Sequence, residues 1–311
     1  MKFGFLLDKT KITFDGITIS PLKEQEEVVR FVFDEFPVAN GWIYPPIKKV
    51  KLNRNEEKLN IKTEAYEHSI PFKLPATHQI KFENGNEDDD NRFEFLILCY
   101  GFLHGLYLLK DGYNYLIKTP YKKNTAHRFV PNKKDLKIGM SVLNNAHIEN
   151  TEEIRKYIFA ALHWFLISES YERLWEHFEA QYKVLDGVYK IAEKKKIITI
   201  LKKKDRSHAK RPILIAKKFG LKIPNWADVK EGTSSSTLSI LRNNLVHQAL
   251  FEGEPIGYRQ PKENYRRYFN NFNLNLICAV LGLNTKHLRE TPTTRGITGW
   301  DLLPSPITPV D

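Results

Sequence analysis

The sequence predicts an α+β protein: a mixed α/β domain over residues 1–150, an all-α antiparallel helical bundle over 151–283, and an extended tail over 284–311. Three observations predict this. Short alternating apolar and polar stretches with turn and proline punctuation fill the first part. From Thr151 to Leu281 the apolar periodicity is mostly helical, interrupted by a basic stretch and by loops at Pro224 and at Gly253–Gly257. Pro292, Pro304, Pro306 and Pro309 then break the last stretch, with Trp300, Leu302 and Leu303 as its apolar anchors.

In chain order, Lys2–Leu7 and Lys11–Ile19 read as short strands, the second folded at Asp15-Gly16. Ser20-Pro21 reads as a helix start with proline in the first turn, and Val28, Phe31, Val32 and Phe36 as that helix's buried stripe. Residues 40–85 carry Pro45, Pro46, Pro71 and Pro75 and read as loops and edge strands. The acidic run Glu87–Asp90 suits a helix N-terminus ahead of the apolar stretch Phe93–Leu109. Within that stretch Gly101 and Gly105 permit close backbone packing or mark a break. Tyr113–Ile117 reads as a strand, and His104 and His127 have no ligand-spaced partners. Lys133–Asn150 reads as a polar link holding the domain boundary.

Thr151 followed by two glutamates starts a helix with Ile154, Ile158, Ala161, Leu162 and Phe165 on one face. A second long helix, restarted at Ser168 or Ser170, faces inward with Leu174, Phe178, Gln181, Tyr182, Leu185, Val188 and Tyr189. Asp186 lies close to that face. Ile213–Phe219 is a short helix closed by Gly220, and Glu263–Leu281 the last helix, stopped by Gly282. Tyr268, Phe272, Leu276, Ile277 and Val280 are its inner residues.

Composition narrows the function classes. A chain of 311 residues can bury a sizeable core, and 41% hydrophobic with 27% charged residues is an ordinary globular balance. No apolar run is long enough for a membrane span, and Met1–Asp8 is too short for a signal peptide, so a cytoplasmic protein is expected. Cys99 and Cys278 sit in apolar runs and read as reduced core residues. Neither GxGxxG nor a Walker lysine is present, which argues against a dehydrogenase or ATPase. Residues 1–150 carry 22 Lys and Arg against 20 Asp and Glu; residues 151–311 carry 26 against 17. The positive field of the second half suits a polyanion such as nucleic acid, or serves solubility. Its densest part is Lys194, Lys195, Lys196, Lys202, Lys203, Lys204, Arg206 and Arg211, readable as an RNA-tracking arm or a solvated connector.

Chemistry concentrates in Leu238–His247. Leu238, Leu241 and Leu245 form an apolar face, and a serine at 234–236 caps the start. Arg242, Asn243 and His247 can then share one rim. Arg grips a phosphate in a fork, and His moves protons near neutral pH. No Asp or Glu pair on this rim is spaced to hold magnesium, so neither metal nor cofactor is expected.

The run Leu241-Arg242-Asn243-Asn244-Leu245-Val246-His247, the upstream helix Phe178–Asp186 and the closing Ala279-Val280-Leu281-Gly282-Leu283 resemble the HEPN superfamily, in its Apea-like branch. Gly101-Phe102-Leu103-His104-Gly105-Leu106, with Pro120 after it, is similar to a segment found ahead of such domains. The resemblance implies a metal-independent ribonuclease acting as a homodimer through the helical domain, with paired Arg and His at the interface. It implies Arg242, Asn243 and His247 as catalytic residues, and a 2′,3′-cyclic phosphate and a 5′-hydroxyl as products. It also implies a supporting carboxylate on the second long helix, here Asp186, one methylene shorter than the Glu of some relatives. Two functions follow as expectations. One is a toxin or anti-phage defence effector that cuts RNA, with a phage or host trigger acting at the N-terminal domain. The other is a catalytically silent dimerisation or RNA-binding scaffold, or a partner module of a separate nucleotide-modifying protein.

Overall fold

The computed structural model describes residues 1–39, 42–43, 74–83, 90–111, 119–120, 129, 131–171, 173–199, 207–230, 232–257, 265–290 and 299–310. The chain is mixed α+β. Strands β1 (Lys2–Gly4), β2 (Ile12–Phe14), β3 (Ile17–Pro21), β6 (His78–Phe82) and β7 (Leu109–Lys110) form one antiparallel sheet in the order β2-β3-β6-β1-β7. Its inner face is Phe3, Ile12, Phe14, Ile17, Ile19 and Ile80, all buried at alternating positions. Asp15 and Gly16, both at positive φ, turn β2 into β3, as a two-residue hairpin of matching twist requires. Strands β4 (Val38–Ala39), β5 (Trp42–Ile43) and β8 (Thr119–Pro120) form a second, smaller antiparallel sheet.

Two sequence expectations change here. Ser20 and Pro21 finish β3 instead of opening a helix, because the β3–β6 ladder runs to the pair Pro21–His78 and is continued by Leu22 N–H to Thr77 O at 2.9 Å. Helix α1 (Gln25–Glu35) starts later and buries Val32, with Val28, Val29, Phe33 and Phe36 partly covered, while Phe31 is 54% exposed. Strand β6, from a region read as loops and edge strands, lies inside the sheet with a neighbour on each side. Glu87–Asp89, Tyr113–Ile117 and His127 lie outside the described residues.

Helix α2 (Asp90–His104) is buried on every face from Phe95 onward. Gly101 is required there: a Cβ would lie 2.3 Å from the backbone oxygen of Leu106. The apolar run breaks after His104, where Gly105 takes a positive φ, and it resumes as β7. His104 is packed on the Tyr100 ring at 4.6 Å between centroids, with Nε2 3.8 Å from Asp8 Oδ2.

The stretch expected to be a polar link is helix α3 (Lys133–Ile148), a correction with a clear cause. Asn132 caps it by accepting Asp135 N–H at 2.8 Å, and Leu136, Met140 and Leu143 make a buried stripe at helical spacing. Its lysines and asparagines populate the other faces, except that Asn144 is fully buried and accepts from Arg92 at 2.9 Å.

The helical half contains α4 (Glu152–Ser168), α5 (Leu174–Lys194), α6 (Arg211–Lys218), α7 (Thr237–Gln248), the hairpin β9 (Leu250–Phe251) with β10 (Glu254–Pro255), and α8 (Tyr265–Leu281). Thr151 caps α4 by accepting from Ile154 N–H. Ser168 ends α4 and does not cap α5, whose N-cap is Arg173. Helix α5 is the hub, packing on α4, α6, α7 and α8. Of the residues expected inside α8, Tyr268 is only half-buried and its neighbour Phe269 takes the inner position.

A polar chain ties the bundle together inside its apolar core. Asn273 donates to Gln181 O at 2.8 Å and Oε1 at 2.7 Å; Gln181 donates to Ser168 Oγ at 2.7 Å; Ser168 donates to Phe165 O at 2.7 Å. All three side chains are fully buried. Gln181→Ala takes one hydrogen bond each from the buried Asn273 Nδ2 and Ser168 Oγ, which keep their bonds to the backbone oxygens of residue 181 and Phe165. It is expected to lower stability by about 1–3 kcal/mol in a urea titration, and a loss under ~0.5 kcal/mol contradicts the role given to this chain of bonds.

The tail is anchored. Trp300 is fully buried, donating to Leu103 O at 2.7 Å and lying 4.6 Å from the Phe129 ring. The Asp135 carboxylate accepts the backbone N–H groups of Asp301 and Leu302, and Val310 N–H meets Lys218 O at 2.6 Å. Buried apolar residues form one continuous cluster from Phe3 to Leu302, across the boundary read at residue 150.

Candidate active site

Helix α7 is positioned from its start. Ser236 accepts Ser239 N–H at 3.2 Å and Ser239 Oγ accepts Ser236 N–H at 2.9 Å, a reciprocal cap. Leu238 N–H is held by Trp226 O at 2.9 Å. Trp226 in turn packs edge-on against Tyr265, Phe269 and Phe272 of α8. Leu238 and Leu241 are buried and Leu245 is packed on the same core, so the opposite side of α7 faces outward. The helix stops at Ala249, a left-handed residue whose N–H reaches Asn244 O. The following hairpin is pinned by Phe251 against Phe178 of α5, 5.2 Å between ring centroids.

On the outward rim, Arg242 Nη1 lies 3.1 Å from Asn243 Oδ1 and 3.3 Å from His247 Nε2. A guanidinium only donates, so His247 accepts through Nε2 in this arrangement and carries its own proton on Nδ1. Arg242 is half-buried; Asn243 and His247 are exposed. The expected trio is thus brought together.

The floor of the site comes from α5 and from the residues leading into α6. The Arg242 guanidinium carbon stands 5.9 Å from the centre of the Tyr182 ring. One turn further along α5, Asp186 accepts a hydrogen bond from Arg211 Nη1. His208, a residue not singled out from the sequence, is packed beside them. Its ring is 5.7 Å from that of Tyr182 and its Nδ1 is 3.9 Å from Asp186 Oδ1. Neither His208 Nδ1 nor the Tyr182 hydroxyl, both buried, makes a hydrogen bond among the described residues.

The electrostatics are dominated by burial and positive charge. Burial pushes the His208 pKa below its usual value of 6.5; Arg211 and Arg242 lower it further, Asp186 opposes them, and His247 adds to the depression. Burial and the Asp186 carboxylate push the Tyr182 hydroxyl above its usual value against the pull of Arg211 and Arg242. His208 is therefore neutral at neutral pH and Tyr182 stays a phenol.

The other candidates fall elsewhere. Lys194 ends α5 and pairs with Glu153 of α4 at 2.7 Å, and Lys195 reaches the Val280 carbonyl at the end of α8 at 3.5 Å. Lys196 follows at positive φ, exposed. Lys194 lies two helical turns beyond Asp186, about 12 Å along α5. Lys202, Lys203, Lys204 and Arg206 are outside the described residues. Of the basic stretch, Arg211 belongs to the site. Among the described residues no group of three or more His, Cys, Asp or Glu side chains is arranged to hold a metal ion. Nor is any helix among them long and apolar enough to cross a membrane.

The class defined by this fold and site is an α+β protein with two histidines and two arginines gathered on its helical half. Comparison with protein-family models, curated proteins and solved structures finds no match to this chain.

Proposed function

We propose that this chain is a metal-independent endoribonuclease of the HEPN type. In this reading α4–α8 form the HEPN-like bundle, and the protein acts in the cytoplasm as a homodimeric toxin or anti-phage effector triggered through residues 1–150. One observation carries it: Arg242 Nη1 sits between Asn243 Oδ1 and His247 Nε2 on an exposed rim. A phosphodiester entering there competes for the guanidinium with two charge-assisted bonds. Taking Arg242 from His247 frees Nε2 for proton transfer. Arg242 then stabilises the charge that grows on the phosphorane-like transition state, and Asn243 orients the scissile phosphate. The attacking group is the ribose 2′-hydroxyl, supplied by the substrate, so RNA is cut and DNA is spared. Homodimerisation is supported by Ile240, Val246 and Ile256, which are 40%, 50% and 38% exposed on α7 and the hairpin after it.

The test is growth of a bacterial host expressing wild type beside one expressing His247→Ala, with and without phage, followed by end analysis of total RNA. Arrest with wild type alone is expected, and purified wild type is expected to leave 2′,3′-cyclic phosphate ends in EDTA. Equal growth with intact RNA in both conditions overturns the reading and favours the scaffold.

A further inference from the structure

We infer that His208 is the second proton-transfer group of this site: it takes the proton of the attacking 2′-hydroxyl while His247 gives one to the leaving 5′-oxygen. This assignment rests on the ribonuclease reading above and adds to it a division of labour within one protomer.

Two imidazoles stand near one guanidinium in different surroundings. His208 is lodged against the Tyr182 ring, and Arg242 approaches that same ring at 5.9 Å. The groups facing His208 are Tyr182 and Asp186 from α5, Arg211 from α6, and Arg242 and His247 from α7. Asp186 lies 3.9 Å from Nδ1, and this Nδ1 has no hydrogen-bond partner among the described residues. A small rotation of the ring closes an Asp–His pair. That pair holds the proton on Nδ1 and leaves the Nε2 lone pair to accept. Burial and flanking cations keep the ring neutral at neutral pH, the state a base needs. His247 is the converse. It is exposed, so it exchanges protons with water, and once a phosphate has drawn Arg242 away its Nε2 is released toward the leaving oxygen.

The step balances. The 2′-oxygen forms a bond to phosphorus as its proton passes to His208 Nε2. The bond from phosphorus to the 5′-oxygen breaks as that oxygen receives the proton of His247. A 2′,3′-cyclic phosphate and a 5′-hydroxyl leave, His208 is cationic and His247 neutral, and exchange with water restores both.

The experiment uses the purified full chain and two RNA oligonucleotides spanning a cut site mapped in the growth experiment. They are identical except for sulfur in place of the bridging 5′-oxygen in one. A thiolate leaves without a proton. His208→Gln is expected to slow cleavage of both substrates by about 10²–10⁴-fold, because both need the 2′-hydroxyl deprotonated. His247→Gln is expected to lose as much on the oxygen substrate and to cut the sulfur substrate near the wild-type rate. Asp186→Asn removes the anion facing His208, so the acidic limb of the pH–rate profile is expected to move to lower pH. Cleavage by His208→Gln within about threefold of wild type overturns the assignment. Rescue by sulfur of His208→Gln instead of His247→Gln overturns it equally. Thermal unfolding checks that His208→Gln is folded. Should it not be, the Asp186→Asn profile decides, an unmoved limb counting against the assignment. Wild type that cuts neither oligonucleotide removes the ribonuclease reading itself, a result distinct from these.

Discussion

Arg242→Ala is expected to leave the protein folded and to cut RNA cleavage by about 10²–10³-fold, the loss of roughly 3–4 kcal/mol of transition-state stabilisation. The guanidinium is half-buried beside the Tyr182 ring, and among the described residues it donates to Asn243 and His247, both on its own exposed rim. Its removal should therefore change stability by no more than about 0.5 kcal/mol. Arg242→Lys keeps the charge but loses the planar fork, and an intermediate loss is expected. The variant also carries an electrostatic signature. Arg242 holds the His208 imidazole down, so without it the His208 pKa rises and the acidic limb of the profile moves to higher pH. Initial rates of oligonucleotide cleavage against pH, with circular dichroism as the folding control, supply the measurement. A folded Arg242→Ala that cleaves as fast as wild type sinks the mechanism.

Trp300→Ala is expected to cost about 3–5 kcal/mol in a urea titration, the range for emptying a buried aromatic site. The indole is fully buried between Phe102 and Phe129, at 5.4 and 4.6 Å between centroids. Its loss also strands the Leu103 carbonyl that accepts from Nε1. Trp300→Phe keeps most of the ring but not the donor, and should cost less, with about 1 kcal/mol for the bond. If Trp300→Ala unfolds within ~0.5 kcal/mol of wild type, the tail does not close the core as described.

What could be read from the sequence was what repeats locally. The start, apolar face and chemical rim of α7 were legible because Leu238, Leu241 and Leu245 keep helical spacing behind a run of serines. The α3 signal was present in Leu136, Met140 and Leu143, but lysine and asparagine on its other faces outnumber it and mimic a linker. Pro21 suggested a helix start and instead ends a strand, since the ladder partner that decides this, His78, is far along the chain. His208 was not legible at all. It stands in a basic stretch without apolar periodicity, and Tyr182 and Asp186 give it meaning only when α6 folds back on α5. Arg211 looked like one cation among many until the same turn placed it on Asp186. The lysines at the end of α5 show the reverse: dense in sequence, yet carried away from the rim by the helix they terminate.

The hydrogen bond between Trp300 and Leu103 spans 197 residues. A ribosome adding about 5–20 residues per second needs roughly 10–40 s to cover that distance. Throughout that interval no indole is present to pack on Phe102, and α2, buried on every face from Phe95 onward in the folded chain, lacks the side chain that completes its surroundings. The packing of α2 is thus completed only once Trp300 has been synthesised.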